Sequence, residues 1–406
     1  MCLLLAVVAA AFRLPRLGRP AEEIFDEVYH AKTAQQYLDG VSPTEWVHPP
    51  TAKLLIAVPL YLLGYRPWAW RLMPALAGIL LAPVFYLLAR RVLATERAAV
   101  LASALLLCDG VYLVQSRVAM TNIFAVLFQL SAALFVLRAV LSERMPSLDM
   151  LAAGVAFGLA LSTRWTSLWA WGFLGLTLLV VRGRRLLRPR ELLLVIAAFG
   201  AIPVALYVLS YVPWMLQGPK NQSLRELWPH TKAIWNYHAG LVADHPYFSK
   251  WYTWPWLVRP TWYYFKQTGD SVTGIVALGN PGLWWVSVPV AFWAYNSGLW
   301  DRDPRRIFAG AGFLCLYLPW GLAPRTLNYS HYLFEAIPYA CLALGMLLDR
   351  EWEGPRRALA RAYVFLVAGL FLYFLPLLIG IPFPSSWFFR DLGLGVKPWS
   401  WFRSWI

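Results

Sequence analysis

Two adjacent acids, Asp26 and Glu27, stand in the stretch IFDEVYHAKTAQQYLDG, and His30 follows one helical turn later. Carboxylates and imidazoles are the side chains that most often transfer protons in enzymes. An acidic pair near a helix start is, however, more often a solvated surface feature that the helix dipole favours. The pair therefore indicates chemistry only if other groups converge on it.

Further ionisable residues stand beside or inside apolar segments. His48 and Lys53 flank two prolines in WVHPPTAKLL, and Arg71 lies just inside an apolar segment. Asp109 and Arg117 lie near the ends of two successive apolar segments. Because ionisable groups inside a membrane are costly, such residues mark either a functional site or an internal ion pair. Several of them on one side of the membrane favour a functional site.

The first acids are predicted to lie on a short amphipathic helix over residues 20–39. Pro20 suits a first helical position and Gly40 suits the stop. The less polar stripe of this helix repeats at steps of four and three: Ile24, Val28, Ala31, Gln35 and Leu38. We expect this helix to lie along the membrane surface.

The polar face of the same helix carries side chains that could do chemistry. These residues are Glu22, Asp26, Tyr29 and His30. Glu27 points about 100° away from Asp26, since consecutive residues of a helix differ by that angle. The two acids are therefore expected to have different partners.

The composition identifies a helical protein with many membrane spans. Hydrophobic residues make up 59% of the chain and charged residues only 14%, and the mean hydropathy is +0.52. Length and hydropathy predict about eleven spans. Their limits are 1–12, 68–90, 98–116, 118–141, 148–163, 165–182, 191–213, 283–300, 307–323, 331–348 and 359–380. The first is too short to cross about 30 Å of hydrocarbon, which favours a truncated first helix.

The arginines predict the orientation of these spans. If residues 1–12 begin on the cytoplasmic side, alternate connections share one face, and these connections are the arginine-rich ones. The net charge of +15 is then a topology signal, and nucleic acid is not an expected partner. All six histidines fall on the outer face or at its edge: His30, His48, His230, His238, His245 and His331. We therefore expect any chemistry on the extracytoplasmic side of the plasma membrane.

Polar outer material is concentrated in segments 13–67 and 214–282, and the second is expected to hold only a loop with short helices. The four cysteines stand in apolar segments without paired spacing, so neither a disulfide framework nor a zinc site is predicted. His230, His238 and His245 are spaced by eight and seven residues, which does not suit a metal site. No metal or cofactor is therefore expected.

Eight blocks of the sequence together resemble one known family. The blocks are FDEVYHAKTAQQYL, HPPTAKLL, WRLMPALAG, LCDGVYLVQSRVAMTNIF, GLALSTRWTSLWA, HPYFSKWYTWPWLVRPTWYYF, ALGNPGLWWVSVP and LPWGLAPRTLNYSHYLF. In this order they resemble the protein O-mannosyltransferases, which are polyprenol-phosphate-mannose-dependent membrane enzymes of the GT-C fold. The resemblance extends from about Phe25 to about Leu348, and the ordered series is far more specific than any one block.

The resemblance implies a fold and a reaction. The fold is an all-α, polytopic GT-C domain over residues 1–406, with short extracytoplasmic amphipathic helices. The reaction moves mannose from a lipid monophosphate to Ser or Thr hydroxyls of secreted or membrane proteins, with inversion at the anomeric carbon. The expected partners are the polyprenyl-phosphate-mannose donor, the acceptor protein and membrane lipids, and the secretion channel is a further candidate.

The resemblance also implies roles for single residues. Asp26 matches the base that accepts the hydroxyl proton, and Glu27 would hold the site geometry or bind the acceptor or sugar. The candidates for neutralising the donor phosphate are Arg71, Lys53, Arg117, Arg164 and Arg325. The candidates for binding the acceptor or the sugar are Tyr29, His30, His48, Arg259 and His331.

Three departures from the family pattern limit what is carried over. Trp46 stands where the family commonly has an acid, with Glu45 adjacent, and Asn122 stands at another acidic position. The long luminal insertion of eukaryotic members is absent, which predicts a minimal, prokaryote-like enzyme. The acceptor preference is therefore the most open inference.

Two other functions are open on the sequence alone. A GT-C transferase could move another sugar from a polyprenyl phosphate to a lipid or a glycan. A lipid-linked sugar flippase or transporter would also combine many spans with intramembrane charges, but it would be expected to show inverted repeats. No repeat is visible, and the polar residues gather at the outer ends of the spans, which favours an enzyme.

Overall fold

The computed structural model describes residues 1–217, 222–393 and 395–405, and most of them are helical. The first half contains α1 (Cys2–Arg13), α2 (Glu27–Asp39), α3 (Thr51–Leu63), α4 (Pro67–Val92), α5 (Glu96–Leu107), α6 (Gly110–Gln115), α7 (Asn122–Leu141), α8 (Ser147–Leu161) and α9 (Ser167–Arg182). The second half contains α10 (Pro189–Ile196), α11 (Ile202–Ser210), α12 (Val212–Met215), α13 (Leu224–Gly240), α14 (Pro281–Asp301), α15 (Pro304–Tyr317), α16 (Ile337–Trp352), α17 (Arg357–Ile379) and α18 (Ser385–Phe388). The described residues thus agree with the predicted helical class.

Within the described residues, four helices are long and apolar enough to cross a membrane: Pro67–Val92, Asn122–Leu141, Pro189–Ser210 and Arg357–Ile379. The third of these joins α10 to α11 through a π-helical segment. Shorter apolar helices include α1, α3 and α8. The count of eleven spans stays a prediction.

The helices surround a buried centre. α7 is buried along most of its length and packs against α4, α8 and α9. The Pro189–Ser210 span lies at the periphery, and little of it is buried. Apolar side chains there are expected to face lipid, where exposure carries no hydrophobic cost.

The predicted span 98–116 is broken in the structure. α5 ends at Leu107 and α6 begins at Gly110, because Asp109 is extended and its Oδ1 accepts a hydrogen bond from Tyr112 N at 2.8 Å. A Cβ on Gly110 would lie 2.2 Å from the Leu278 carbonyl oxygen, so this helix start approaches another backbone closely. Hydropathy alone does not detect such a break.

The predicted helix over 20–39 begins at Glu27 in the structure. Pro20 is therefore not a first helical position, and Glu22 does not share a helix face with Asp26. Glu22 Oε1 instead accepts a hydrogen bond from the Tyr264 hydroxyl at 2.7 Å. The predicted stop is confirmed, since Gly40 ends α2 in the left-handed conformation with φ 68°.

Segment 214–282 contains a β-hairpin that was not predicted, and its residues 218–221 lie outside the described part of the chain. β1 (Thr261–Thr268) pairs antiparallel with β2 (Ser271–Ala277), and the short β3 (Phe383–Pro384) adds to β2. β2 packs against α17, where Ile275 lies against the helix end at Gly380. This small sheet supports the wall of the site described next.

Candidate active site

A polar cavity of about 590 Å³ lies at the N-terminal end of α2 and contains Asp26. Seven of the twelve predicted site residues line it: Asp26, Tyr29, His30, His48, Arg164, Arg325 and His331. They come from four of the sequence blocks, which are far apart along the chain. The structure thus brings most of the candidates to one place.

The backbone before Asp26 is strained and held by aromatic packing. Phe25 has φ 48°, a left-handed conformation that is costly for a bulky residue. Its ring stacks on Tyr263 of β1 at 4.2 Å with an interplanar angle of 7°, and meets Tyr329 and His331 edge-on. This packing holds the turn that directs Asp26 into the cavity.

The electrostatic surroundings of Asp26 suit proton transfer near neutral pH. Loss of contact with bulk water, and next the charge of Glu45, raise the pKa of Asp26 to about 7, although Arg164 and Arg325 oppose this shift. Within the described part of the chain, the Asp26 carboxylate accepts no hydrogen bond. Its oxygens are therefore free to accept a proton from a group in the cavity.

Glu27 lies outside the cavity and is paired with Arg71. The Glu27 carboxylate is completely buried and accepts hydrogen bonds from Arg71 Nε at 2.8 Å and NH2 at 2.7 Å. It also accepts from the backbone of Ile24 at 3.0 Å and of Ala119 at 2.9 Å. Glu27 thus joins the turn before α2 to the start of α7, which agrees with a geometry-holding role.

Arg71, a predicted phosphate ligand, is fully used in this contact. Besides Glu27, its guanidinium donates to the carbonyl oxygens of Leu17, Pro20 and Glu22 at 2.7–3.2 Å. Arg71 is 1% exposed and does not line the cavity. In this structure it orders the segment before Asp26.

Three other predicted residues also lie away from the cavity lining. Lys53 is buried and paired with Glu45, and Arg117 donates to the carbonyl oxygens of Phe12 and Arg13 at 3.0 and 2.6 Å. Arg259 is partly exposed and donates through Nε to a backbone carbonyl at 2.5 Å. Each of them is occupied by protein groups.

Two arginines remain beside the cavity. Arg164 donates through NH1 to Asn122 Oδ1 at 2.8 Å, and its guanidinium lies 5.1 Å from the Tyr332 ring centre. Arg325 lies 5.9 Å from the same ring and donates through Nε to the Leu327 carbonyl at 2.8 Å. Arg164 Nε also lies 3.8 Å from Glu335 Oε1, and Arg325 NH1 lies 3.4 Å from His238 Nδ1. Tyr332 thus lies between two cations that both line the cavity.

The cavity histidines are kept neutral by their surroundings. Burial lowers the pKa of His30 to about 3, and it also lowers the pKa of His48. His331 Nδ1 lies 3.3 Å from the Thr261 hydroxyl. Tyr29 is an exposed member of the lining, with 55% of its surface accessible.

The sequence interpretation did not assign several lining residues to the site, among them His238 and Tyr332. His238 was considered only as a metal ligand, although burial and neighbouring charges lower its pKa to about 4. Tyr332 stands in the last sequence block, seven residues after Arg325, so its proximity to that cation could have been suspected. Its contact with Arg164 could not.

A second, largely apolar groove of about 500 Å³ joins the polar cavity. Leu168, Val204 and Trp235 are among its walls, and each is about half exposed. The groove and the cavity share four lining residues: His48, Arg164, His238 and Arg325. The two cations therefore stand where an apolar compartment meets a polar one.

Comparison with solved structures defines the class of protein. The chain superimposes on the S. cerevisiae Pmt1–Pmt2 complex bound to the sugar donor with a TM-score of 0.84, at 15% identity over 99% of this chain and 93% of that one. ArnT from Cupriavidus metallidurans matches with a TM-score of 0.56, at 16% identity over 93% and 76% of the two chains. The protein has the fold of the GT-C membrane glycosyltransferases.

Sequence comparisons identify the family within that class. The family model described as dolichyl-phosphate-mannose-protein mannosyltransferase matches residues 3–218, and the C-terminal four TMM region of protein-O-mannosyltransferase matches residues 223–405. The chain belongs to the dolichyl-phosphate-mannose-protein mannosyltransferase family.

Two curated relatives carry the name polyprenol-phosphate-mannose--protein mannosyltransferase. The protein of Mycolicibacterium smegmatis is 31% identical over 95% of this chain and 90% of its own length. The protein of Mycobacterium tuberculosis is 30% identical over 93% and 87%. The expected family resemblance is therefore confirmed.

Proposed function

We propose that this protein transfers mannose from a polyprenyl-phosphate-mannose donor to Ser or Thr hydroxyls of proteins, as the names of its relatives indicate for them. The observation that carries the proposal for the site is the junction of the two compartments. The apolar groove suits a prenyl chain, the polar cavity suits a sugar and a hydroxyl acceptor, and Arg164 and Arg325 stand between them.

In this arrangement Asp26 acts as the general base. The acceptor hydroxyl gives its proton to an Asp26 oxygen while the hydroxyl oxygen forms a bond to the anomeric carbon of the sugar. The bond between that carbon and the phosphate oxygen breaks on the opposite face, and its electron pair stays on the phosphate. The configuration at the anomeric carbon is therefore inverted.

The leaving phosphate needs cations rather than an acid. In the donor the phosphate is a diester of the lipid and the sugar and carries one negative charge. As the bond to the anomeric carbon breaks, further charge grows on the bridging oxygen and the lipid phosphate leaves as a monoester. Arg164 and Arg325 are the cavity cations placed to stabilise that charge. Arg71, Lys53 and Arg117 would act through the positions of other groups.

The remaining parts of the proposal concern the whole chain. Residues 1–406 would form one catalytic domain, with the cavity on the extracytoplasmic side, as the asymmetry of arginine among the loops supports. Secreted or membrane proteins would reach the cavity from that side, with the secretion channel as a candidate neighbour. Tyr29 and His331 would contact the acceptor or the sugar.

The first test is transfer of radiolabelled mannose to a Ser/Thr-rich peptide in membranes that contain the protein. We expect Asp26→Asn to reduce kcat by about 10²- to 10⁴-fold, the usual contribution of a general base. Asp39→Asn is the matched control, because exposed Asp39 ends the same helix and, within the described part of the chain, accepts a side-chain hydrogen bond from Gln35 alone.

Each outcome of this test has a clear meaning. Full activity of a well-folded Asp26→Asn variant would refute the assignment of the base. Failure of the wild type to use this donor, with consumption of another lipid-linked sugar, would refute the substrate and support the alternative transferase.

A further inference from the structure

Glu45 lines the polar cavity and forms a buried pair with Lys53, which lies behind the lining, and no step of the mechanism above assigns this pair a contact with substrate. Glu45 is 7% exposed and Lys53 is 1% exposed. Lys53 Nζ contacts Glu45 Oε2 and also donates to the carbonyl oxygens of Glu45 at 3.2 Å and His48 at 2.7 Å. Although burial alone would raise it, these cationic and hydrogen-bonding neighbours hold the pKa of Glu45 well below its usual value. The pair therefore keeps Glu45 an anion.

Glu45 determines which nitrogen of His48 carries the proton. Glu45 Oε1 lies 2.8 Å from His48 Nδ1 and accepts a hydrogen bond from His48 N at 3.1 Å. An ionised carboxylate can only accept hydrogen bonds, so Nδ1 must carry a proton. Burial, and to a lesser extent Arg164 and Lys53, lower the pKa of His48 although Glu45 acts in the opposite direction, so the imidazole is neutral and Nε2 keeps a free lone pair.

The position of His48 limits what that lone pair can bind. His48 lines both the groove and the cavity, and its ring centre is 5.4 Å from that of His238. His238 Nε2 donates to the Val47 carbonyl at 2.8 Å, so this nitrogen is not available as a donor to His48. Thr51 binds Ser162 through both its backbone and its hydroxyl, at 3.0 and 2.7 Å, and so ties the His48 turn to the segment of Arg164. His48 Nε2 is thus held beside the proposed phosphate position.

An acceptor nitrogen at this place repels a phosphate oxygen but suits a hydroxyl. The sugar is joined directly to the phosphate, so its hydroxyls are the donors nearest to the compartment junction. We propose that Glu45 is a positioning residue that fixes the Nδ1–H form of His48, so that His48 Nε2 accepts a hydrogen bond from a hydroxyl of the transferred sugar. This inference rests on the proposed function, and it names the group that would recognise the sugar.

The test measures coupling between single residues and single sugar hydroxyls. The full-length protein is assayed in membranes with polyprenyl-phosphate-mannose and with analogues in which one sugar hydroxyl at a time is replaced by hydrogen. We expect one analogue to lower kcat/KM of the wild type by about 10- to 100-fold, the usual range for a hydrogen bond in a buried site. His48→Asn should lower kcat/KM for the normal donor by a similar factor. For this variant, kcat/KM with that analogue should be almost the same as with the normal donor.

Two further variants separate recognition from folding. His48→Gln places an amide oxygen near the position of Nε2. The shorter side chain of His48→Asn reaches only the position of Nδ1, beside Glu45, so His48→Gln should retain more activity. Glu45→Gln should lose the same hydroxyl preference as His48→Asn. In the variant that combines both substitutions, kcat/KM should be little lower than in either single variant. Glu23→Gln is the control for removing a paired acid, because Glu23 pairs with Lys32 and does not line the cavity.

Three results would overturn the inference. In the first, His48→Asn still discriminates between the normal donor and the critical analogue. In the second, the losses of kcat/KM in Glu45→Gln and His48→Asn add up in the double variant and the discrimination is unchanged. In the third, only the KM for the peptide changes. The last result would assign His48 to the acceptor instead. Absence of transfer by the wild type would be a failure of the proposed function, and it is distinct from all three.

Discussion

The ionisation of Asp26 is set by neighbours that act in opposite directions. Burial and Glu45 favour the neutral acid, whereas Arg164 and Arg325 favour the carboxylate, and the resulting pKa is about 7. A general base works only when it is ionised. A half-buried carboxyl with this pKa can accept a proton near neutral pH and release it again.

The dependence of activity on pH follows from this balance. We expect kcat/KM to rise with pH through a midpoint near 7, because deprotonation of Asp26 in the free enzyme creates the base. Replacing Glu45 by Gln removes a negative neighbour, which makes ionisation of Asp26 easier and moves the midpoint to lower pH. Rates measured between pH 5 and 9 test both statements, and a midpoint that rises in Glu45→Gln would contradict them.

The second acid has a structural charge partner, so its loss should affect stability. Glu27→Gln leaves the buried Arg71 guanidinium without a counter-charge, at a cost of about 3–5 kcal/mol. Glu23→Gln removes the charge pair with Lys32, which is 57% exposed, but keeps an amide oxygen that can accept from the Tyr65 hydroxyl, so it should cost only about 0–1 kcal/mol. Thermal unfolding of the purified variants in detergent compares the two. Equal shifts of the midpoint temperature would show that Glu27 is not a buried partner.

Hydropathy and helix periodicity predicted the elements well only where a helix is regular. The end of α2 at Gly40 was predicted because glycine suits a left-handed stop. The start was wrong by seven residues, since a period of 3.6 does not reveal the left-handed conformation of Phe25. The break before α6 was missed because one buried aspartate, Asp109, restarts the helix within an apolar run.

The hairpin matters for function because β1 supports the turn before Asp26. Tyr263→Leu removes the ring that stacks on Phe25 and should loosen the strained turn. We expect kcat to fall by about 10- to 100-fold, since small misplacement of a catalytic group is costly. Tyr264→Leu is the matched control, because Tyr264 only donates to exposed Glu22 from the next position of the strand.

Kinetic constants measured with the peptide distinguish a role of Tyr263 in positioning Asp26 from a general effect on the stability of the sheet. A fall in kcat for Tyr263→Leu with little change in the control agrees with a role in positioning Asp26. Equal effects of both substitutions would indicate general loss of the sheet instead.

At the scale of the molecule, composition predicted the helical membrane class, which the fold confirms, whereas the number of spans and the outer position of the polar residues stay predictions. Composition did not predict which candidate residues come together, because that depends on which helices pack against each other. Arg164 and Arg325 are far apart in sequence and meet at one tyrosine, whereas Arg71 turns away from the cavity to bind Glu27. Sequence blocks indicate which residues matter, but only packing distributes them between the site and its support.

The groove that leads from the cavity to the lipid-facing helices predicts how the donor is held. Val204 lies in the wall of the groove on α11 and is 59% exposed, so Val204→Trp should fill space that a prenyl chain would occupy. Leu209→Trp is the control, because it adds the same bulk to an equally exposed residue of that helix outside the lining.

We expect Val204→Trp to raise the KM for a long-chain donor by about tenfold, since it removes contacts with the prenyl chain, a part of the donor that does not react. The effect should shrink with a donor whose prenyl chain is short, because that chain leaves the blocked region empty. An increase that is independent of chain length, or equal for Leu209→Trp, would place the prenyl chain elsewhere.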